Sequence, residues 1–125
     1  MNLSKTFVVI NPDHSATPVD VTPTIYQELD ERFDGFKGRQ LIATYHFEGD
    51  WPTWEIHPHG DEVVVLLSGA ADMVFEEKGT HQVVKLAKSG DYVIVPKGTW
   101  HTARIATPTS MLFITPGQDT ENKGI

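Results

Sequence analysis

From about residue 40 onward, clusters of turn-forming residues divide the sequence into short apolar runs. The clusters "SGA", "EKGT", "KSGD", "PKGT" and "TPTS" contain the Gly, Pro, Ser and Thr that turns favour. Strands that recur about every eight to twelve residues are typical of an all-β sandwich or barrel. The predicted strands are Leu41–Phe47, Trp54–His57, Glu62–Leu67, Ala70–Glu76, Gln82–Leu86, Tyr92–Val95, Trp100–Ile105 and Met111–Thr115.

One segment before these strands, "DVTPTIYQELDERF", has the pattern of a short N-terminal helix. Thr22 can cap its N-terminus and Pro23 suits the first helical position. Ile25, Leu29 and Phe33 then lie on one apolar stripe, because they are four residues apart. We expect this helix to cover one end of the barrel and to have no catalytic role.

The length of 125 residues is that of one domain. We expect an N-terminal edge strand and helix over about residues 6–34, a barrel over about residues 40–116 and a loose tail over residues 117–125. The edge strand is Thr6–Ile10, and an edge strand can pair with a second copy of the chain.

Charge and composition exclude several partners. The net charge of -7 repels nucleic-acid phosphates and anionic membranes. The apolar run Phe7–Ile10 is too short for a signal peptide or a membrane span, so the cytoplasm is the expected compartment. The chain has no cysteine, so any metal must be held by imidazoles and carboxylates.

Five potential metal ligands lie in the eight residues from Glu55 to Glu62. Glu55, His57 and His59 alternate along the chain, and on a strand this spacing places their side chains on one face. The segment "HPHGD" then breaks the strand, because proline lacks a ladder donor and glycine permits a turn. Glu62 opens a second strand, where its carboxylate can meet the histidines of its neighbour.

A sixth candidate ligand lies about forty residues later, in "SGDYVIVPKGTWHTARI". His101 begins a predicted strand and shares a face with Ala103 and Ile105. A single histidine in an apolar row faces the interior. It is either a buried residue that one hydrogen bond satisfies or a ligand whose partners come from the first segment.

These two segments resemble the two motifs of the cupin family. The second motif is Gly, five residues, Pro, one residue, Gly, two residues, His, three residues and Asn. Its first four anchors are matched at every spacing by Gly90, Pro96, Gly98 and His101. Ile105 stands at the Asn position, which is a departure. The first motif is Gly, five residues, His-x-His, three or four residues, Glu, six residues and Gly, and Glu62 to Gly69 matches its second half.

The resemblance implies a cupin type-2 domain, whose fold is a double-stranded β-helix or jelly-roll barrel with a metal in its interior. Two registers remain open for the first motif. Placing the His-x-His pair on Glu55 and His57 fits every count from Gly49 and implies the ligands Glu55, His57, Glu62 and His101. Placing it on His57 and His59 gives the family's usual three histidines and one glutamate, although two counts are then off pattern.

Either set of nitrogen and oxygen ligands suits a divalent transition metal such as Fe, Mn, Ni or Zn. In the register with Glu55, two carboxylates about 5 Å apart repel by roughly 3 kcal/mol at an effective dielectric near 20. One of them then tends to hold a proton when no metal is bound. A divalent ion gives a neutral centre, which favours neutral or weakly acidic small molecules over strong anions.

Alternation along the predicted strands suggests an apolar pocket around this centre. The predicted lining residues are Tyr45, Met73, Phe75, Ile105 and Phe113. The cupin family includes dioxygenases, isomerases, decarboxylases, sensors and storage proteins, so it does not define a reaction. We expect a metal-dependent protein acting on a small organic molecule, for example as an oxygenase or isomerase. The alternative is non-catalytic binding or sensing of a small molecule, with or without metal. The family and the first strand imply a homodimer.

Overall fold

The computed structural model describes all residues from 1 to 125, which form eleven β-strands, one α-helix and one short 3-10 helix. The helix α1 is Ile25–Arg32 and the 3-10 helix is Asp34–Phe36. The strands are β1 Thr6–Ile10, β2 Ala16–Asp20, β3 Gln40–Phe47, β4 Thr53–Ile56, β5 Glu62–Ser68, β6 Ala71–Glu77, β7 Thr80–Leu86, β8 Tyr92–Val95, β9 His101–Arg104, β10 Thr109–Thr115 and β11 Glu121–Gly124.

The strands form the two antiparallel sheets of a jelly-roll β fold. The six-stranded sheet has the order β2-β1-β3-β10-β5-β8, and the five-stranded sheet has the order β11-β4-β9-β6-β7. Side chains alternate between the two faces of each strand, so every second residue points between the sheets. Val64, Leu66, Met73 and Met111 are fully buried there. The all-β prediction is confirmed.

A second apolar cluster joins α1 to the six-stranded sheet. Leu29 of α1 packs in one group with Phe7 and Val9 of β1, Leu41 of β3 and Phe36 of the 3-10 helix. The amphipathic stripe seen in the sequence therefore buries its apolar side against the sheet, as expected for such a helix. α1 is too short and too polar to span a lipid bilayer.

The helix begins two residues later than predicted, at Ile25 instead of Pro23. Its N-cap is Thr24, not Thr22, and Thr24 makes no capping hydrogen bond through its side chain. The Thr22 hydroxyl instead donates to the Glu28 carboxylate inside the first turn. Phe33 follows the last helical residue, so it extends the stripe from the C-cap position.

The prediction that Thr6–Ile10 is an edge strand was wrong. β1 pairs with β3 on one side and with β2 on the other, with Val8 opposite both Ile42 and Pro18. β2 takes the edge itself, and Pro18 suits an edge because proline cannot donate to a further strand. β1 therefore has no free edge for a second copy of the chain.

The tail is not loose over residues 121–124. β11 pairs with β4 along four residues, from Glu121 opposite Ile56 to Gly124 opposite Thr53. Lys123 lies over the Trp100 ring at 4.6 Å and forms an ion pair with Glu76. β11 has no alternating apolar pattern, so its sequence gave no strand signal.

Candidate metal centre

Three strand ends bring the predicted site residues together. Glu55 lies in β4, His57 follows the last residue of β4, Glu62 begins β5 and His101 begins β9. Glu55 lies directly opposite His101 in the ladder between β4 and β9. The turn "HPHGD" carries the chain from β4 in one sheet to β5 in the other, so the cluster spans both sheets.

The four side chains form one buried cluster. Glu62 contacts both imidazoles, with 3.2 Å from its Oε2 to Nε2 of His57 and 3.2 Å from its Oε1 to Nε2 of His101. One ligand atom from each of Glu55, His57 and His101 lies within 4.8 Å of the other two. Exposure is 5% for His57, 2% for Glu62 and 0% for His101. Glu55 is the most open member, with 35% of its side chain exposed.

Hydrogen bonds behind the two imidazoles fix which nitrogen faces the cluster. The Thr120 hydroxyl donates to the Gly117 carbonyl at 3.0 Å, so it accepts from Nδ1–H of His57 at 2.8 Å. Nδ1 of His101 donates to the Thr99 carbonyl oxygen at 3.1 Å. In the neutral rings both Nε2 atoms therefore carry a lone pair and no proton.

With both rings neutral, the centre of the cluster consists of acceptors without a donor. Nε2 of His57, Nε2 of His101 and Oε1 of Glu62 are buried and have no hydrogen-bond partner. An unsatisfied buried polar group costs roughly 1–3 kcal/mol, so three at one point are a costly arrangement unless a cation lies between them. A divalent metal ion fits this donor set of imidazole nitrogens and carboxylate oxygens. Thr115 fixes the carboxylate from behind by donating to Oε2 of Glu62 at 2.6 Å.

The pKa values in the cluster shift in opposite directions. Burial alone raises the pKa of Glu62, but hydrogen bonds and positive charge from His101 and His57, when their Nε2 atoms carry a proton, outweigh it and lower that pKa to about 2. Burial alone lowers the pKa of His101, and the Glu62 carboxylate outweighs it and raises that pKa. The pKa of Glu55 is raised, first by burial and then by the charge of Glu62. This raised pKa of Glu55 agrees with the sequence-based expectation that the two carboxylates repel each other.

His59 does not join the cluster. Its Nε2 lies 2.8 Å from a carboxylate oxygen of Asp119, and both side chains are exposed. Asp61, in the same turn, accepts a hydrogen bond from the Lys97 amide at 2.8 Å. The turn after β4 therefore points these two side chains away from the other candidates.

A cavity of about 670 Å³ opens beside the cluster. Glu55 and Glu62 belong to its wall, so the cluster presents its carboxylates to the cavity. Much of the remaining wall is aromatic. Its rings come from Tyr26, Phe36, Tyr45, Phe47, Trp51 and Phe113.

The predicted lining residues divide into two groups. Tyr45 and Phe113 belong to the cavity wall. Met73, Phe75 and Ile105 do not, and this part of the prediction was wrong. These three side chains are buried in the core cluster between the sheets. Alternation identified them correctly as interior residues, but side chains rather than a cavity fill that part of the barrel.

Tyr26 is a wall residue that the sequence did not reveal. It projects from α1, and its hydroxyl contacts the Tyr45 hydroxyl of β3. Burial is the main cause that raises the pKa of both phenols, so both stay neutral near pH 7. The helix thus contributes a polar group to the cavity as well as covering the fold. Thr99, Thr115 and Thr120 were also missed, because contacts behind a candidate ligand leave no spacing pattern.

Comparisons with known proteins agree with the fold. The sequence model of the family described as "Cupin domain" matches residues 43–115. A cupin-2 domain containing protein of Shewanella frigidimarina has a similar structure, with a TM-score of 0.53 and 23% identity over 62% of this chain and 70% of that chain. None of the curated proteins matches the sequence.

Two enzymes of known structure share the fold. An oxalate oxidase has a TM-score of 0.55 and 15% identity over 65% of this chain and 44% of its own. A hydroquinone 1,2-dioxygenase in complex with Cd²⁺ and 4-hydroxybenzonitrile has a TM-score of 0.51 and 19% identity over 61% of this chain and 56% of its own. The chain spans about half the length of each enzyme, and identities this low concern the fold alone.

Proposed function

We propose that this chain, which belongs to the cupin domain family, binds a divalent transition metal through Glu55, His57, Glu62 and His101 and acts on a small organic molecule in the adjoining cavity. The observation that carries the proposal is the convergence of unpartnered acceptors. Nε2 of His57, Nε2 of His101 and Oε1 of Glu62 meet without a donor. Fe, Mn, Ni and Zn all suit these ligands.

The residues behind the ligands support a preformed centre. Thr120 and the Thr99 carbonyl orient the two imidazoles, and Thr115 orients Glu62. Such outer contacts hold ligands in place and fix the neutral tautomer whose Nε2 faces the centre. The metal, when bound, would act as a Lewis acid and a template for the substrate.

The cavity favours a neutral or weakly acidic substrate of small size. Two carboxylates balance the charge of a divalent ion, so the centre attracts strong anions weakly. Aromatic walls that include Trp51 and Phe113 can pack against an apolar body. The neutral hydroxyls of Tyr26 and Tyr45 can orient an oxygen of the substrate. We propose oxygenation or isomerisation in the cytoplasm as the reaction, with no nucleic acid or membrane as a partner.

The alternative is non-catalytic binding or sensing of the same kind of molecule. The residues of the cavity wall favour this non-catalytic alternative in one respect. Apart from Glu55 and Glu62, the acidic residues of the wall are Asp30, Asp50 and Asp119, and the wall contains no serine or histidine. Asp50 is already bonded to the Ile105 amide at 2.7 Å and Asp119 to His59. A binding protein would be stabilised by its ligand without forming a product.

Metal content tests the proposal directly. We expect the purified protein to hold about one transition metal ion per chain, measured by elemental analysis, or to take one up from Fe(II), Mn, Ni or Zn. His101→Ala and Glu62→Ala are expected to weaken binding by at least about 100-fold, since loss of outer contacts alone weakens it by about 10- to 100-fold.

His46→Ala is the matched control, because His46 is an exposed histidine bonded to Glu48 and Ser110 outside the cluster. It should bind metal as the natural protein does. A folded protein that takes up none of the four metals would overturn the proposal and leave metal-free binding.

A further inference from the structure

One donor in the protein is buried without an acceptor. Four side-chain atoms are buried and have no hydrogen-bond partner, and three of them are the acceptors of the candidate metal centre. The fourth is Nε1 of Trp51, and an indole N–H can only donate. A cation satisfies the three acceptors, but it cannot satisfy a donor. The Trp51 N–H therefore needs a partner other than a metal ion.

Trp51 lies beside the candidate metal centre, in the wall of the cavity. It comes two residues before β4, and its backbone amide donates to the Ala103 carbonyl of β9 at 3.0 Å. Its ring centroid lies 6.1 Å from that of His101, 5.6 Å from that of Phe47 and 5.9 Å from that of Phe113. Only 9% of the residue is exposed. The fold thus holds the indole between the aromatic wall and a proposed metal ligand.

The neighbouring rings offer the Trp51 N–H no acceptor atom. The side chains of Phe47 and Phe113 contain no nitrogen or oxygen. The His101 ring donates from Nδ1 to the Thr99 carbonyl, and its Nε2 faces the metal centre. A buried donor without an acceptor destabilises a fold, and such groups are rare in folded proteins.

The two tyrosines of the cavity wall differ from Trp51 in this respect. The hydroxyls of Tyr26 and Tyr45 contact each other, so each of them already has a hydrogen-bond partner. The indole N–H has none. Among the donors of the wall, the indole is therefore the one whose partner must come from a bound molecule.

We infer that the Trp51 indole N–H donates a hydrogen bond to an oxygen of the molecule that occupies the cavity. The inference rests on the proposed function, because it concerns the substrate of the same site. It narrows the class of substrate to molecules with an oxygen acceptor at the end that lies beside His101. An ammonium group has donors but no acceptor, and a hydrocarbon has neither. Both would leave the indole unpaired, and a site with an unpaired buried polar group rejects such analogues.

Two probes of similar size and shape, phenol and toluene, test the inference by NMR of the full-length protein treated with zinc. Phenol carries one oxygen on an aromatic ring, and toluene has a methyl group in its place. Each tryptophan gives one indole N–H signal, and the signals lost in Trp54→Phe and Trp100→Phe leave that of Trp51 assigned. We expect phenol at up to about 5 mM, enough to occupy a millimolar site, to move the Trp51 signal downfield as its N–H gains an acceptor, and toluene not to do so.

Affinities of the Trp51→Phe variant give a second measurement. Phenylalanine keeps an aromatic ring in the wall but has no N–H, so we expect the variant to bind phenol roughly 10-fold more weakly and toluene less than about two-fold more weakly. Trp100→Phe is the matched control, because the Trp100 ring lies over Lys123 and does not border the cavity. It should bind both probes like the natural protein.

The inference is overturned if phenol leaves the Trp51 signal unmoved, which would show that the indole donates to a neighbouring ring face instead. It is also overturned if toluene moves the signal downfield as far as phenol does, if Trp51→Phe weakens the binding of both probes equally, or if Trp100→Phe weakens phenol binding as much as Trp51→Phe does.

Elemental analysis of the same samples separates this inference from the proposed metal. A protein that takes up no zinc but whose Trp51 signal responds to phenol alone would count against the metal and support the inference. A zinc-loaded protein whose Trp51 signal does not respond would overturn the inference and leave the metal in place.

Discussion

In the proposed ligand set, Glu55 is the residue at which this chain departs from the usual cupin ligands. It stands where the motif places a histidine, and its Oε2 lies 3.8 Å from Nε2 of His57. It also borders the cavity. His59, the other candidate for this position, is bonded to Asp119 outside the cluster. The geometry therefore favours Glu55 as the fourth ligand.

Substitutions at these two positions separate the registers. We expect Glu55→Ala to weaken metal binding at least about 100-fold, because a direct ligand matters more than the outer contacts that alter affinity about 10- to 100-fold. His59→Ala should change affinity by less than about two-fold. Isothermal titration of the metal-free proteins measures both, and a larger loss for His59→Ala would exclude the Glu55 register.

At the scale of elements, the strand with the weakest sequence signal supports the site. β11 pairs with β4, which carries Glu55, and Asn122 lies opposite Glu55 in this ladder. Thr120 lies just before β11 and holds the His57 ring at 2.8 Å. Pairing of β11 therefore fixes both β4 and the hydroxyl that orients the His57 ring.

Removal of residues 121–125 tests this role of β11. The ladder with β4 would lose its hydrogen bonds, at about 1 kcal/mol each, so we expect the free energy of unfolding to fall by roughly 2–4 kcal/mol. Metal affinity should fall as well, because Thr120 loses its fixed position. Chemical denaturation measures the first effect and metal titration the second.

Removal of Ile125 alone is the control for this truncation. Ile125 is 74% exposed and follows the last residue of β11, so its loss should change neither quantity. Equal stability of the two truncated chains would show that β11 does not support the fold.

At the scale of the whole molecule, the cluster makes stability depend on pH and on metal. The pKa of Glu62 is lowered to about 2, so its carboxylate stabilises the fold above its ordinary pKa of 4.5 and loses this effect as the pH falls towards 2. The ionisation of Glu55 has the opposite effect on stability. Its pKa is raised, so ionisation of Glu55 destabilises the metal-free fold above pH 4.5.

Glu55→Gln is therefore expected to raise the Tm of the metal-free protein at pH 7 and to change it little near pH 4, where Glu55 is mostly protonated in both folded and unfolded chains. The same variant should bind metal more weakly. Thermal unfolding in the presence of a chelator, at both pH values, measures the effect.

Glu77→Gln is the control, because Glu77 is an exposed residue at the end of β6 and its loss changes the net charge equally. A gain in Tm of the same size for Glu77→Gln would assign the effect to net charge instead of to the cluster. A fall in the Tm of Glu55→Gln at pH 7 would contradict the assigned direction of its pKa shift.

Local sequence patterns predicted most of the fold. All eight barrel strands occur with ends within two residues of their predicted positions. The signal was strong because each strand combines apolar alternation with flanking turn residues. β2 and β11 were missed because they lie at sheet edges and expose most of their side chains. No burial pattern marks such strands, and only the pairing partner decides that they form.

The sequence by itself determined the all-β architecture and the candidates His57, Glu62 and His101. Periodicity and motif spacing are properties of the sequence, so both can be recognised without the tertiary structure. The tertiary structure decided what distance along the chain cannot encode. It turned His59 outward to Asp119, placed Thr120 behind His57, which is 63 residues away, and brought Tyr26 to the cavity. These contacts depend on how the two sheets and α1 pack, and packing is set by all their side chains together.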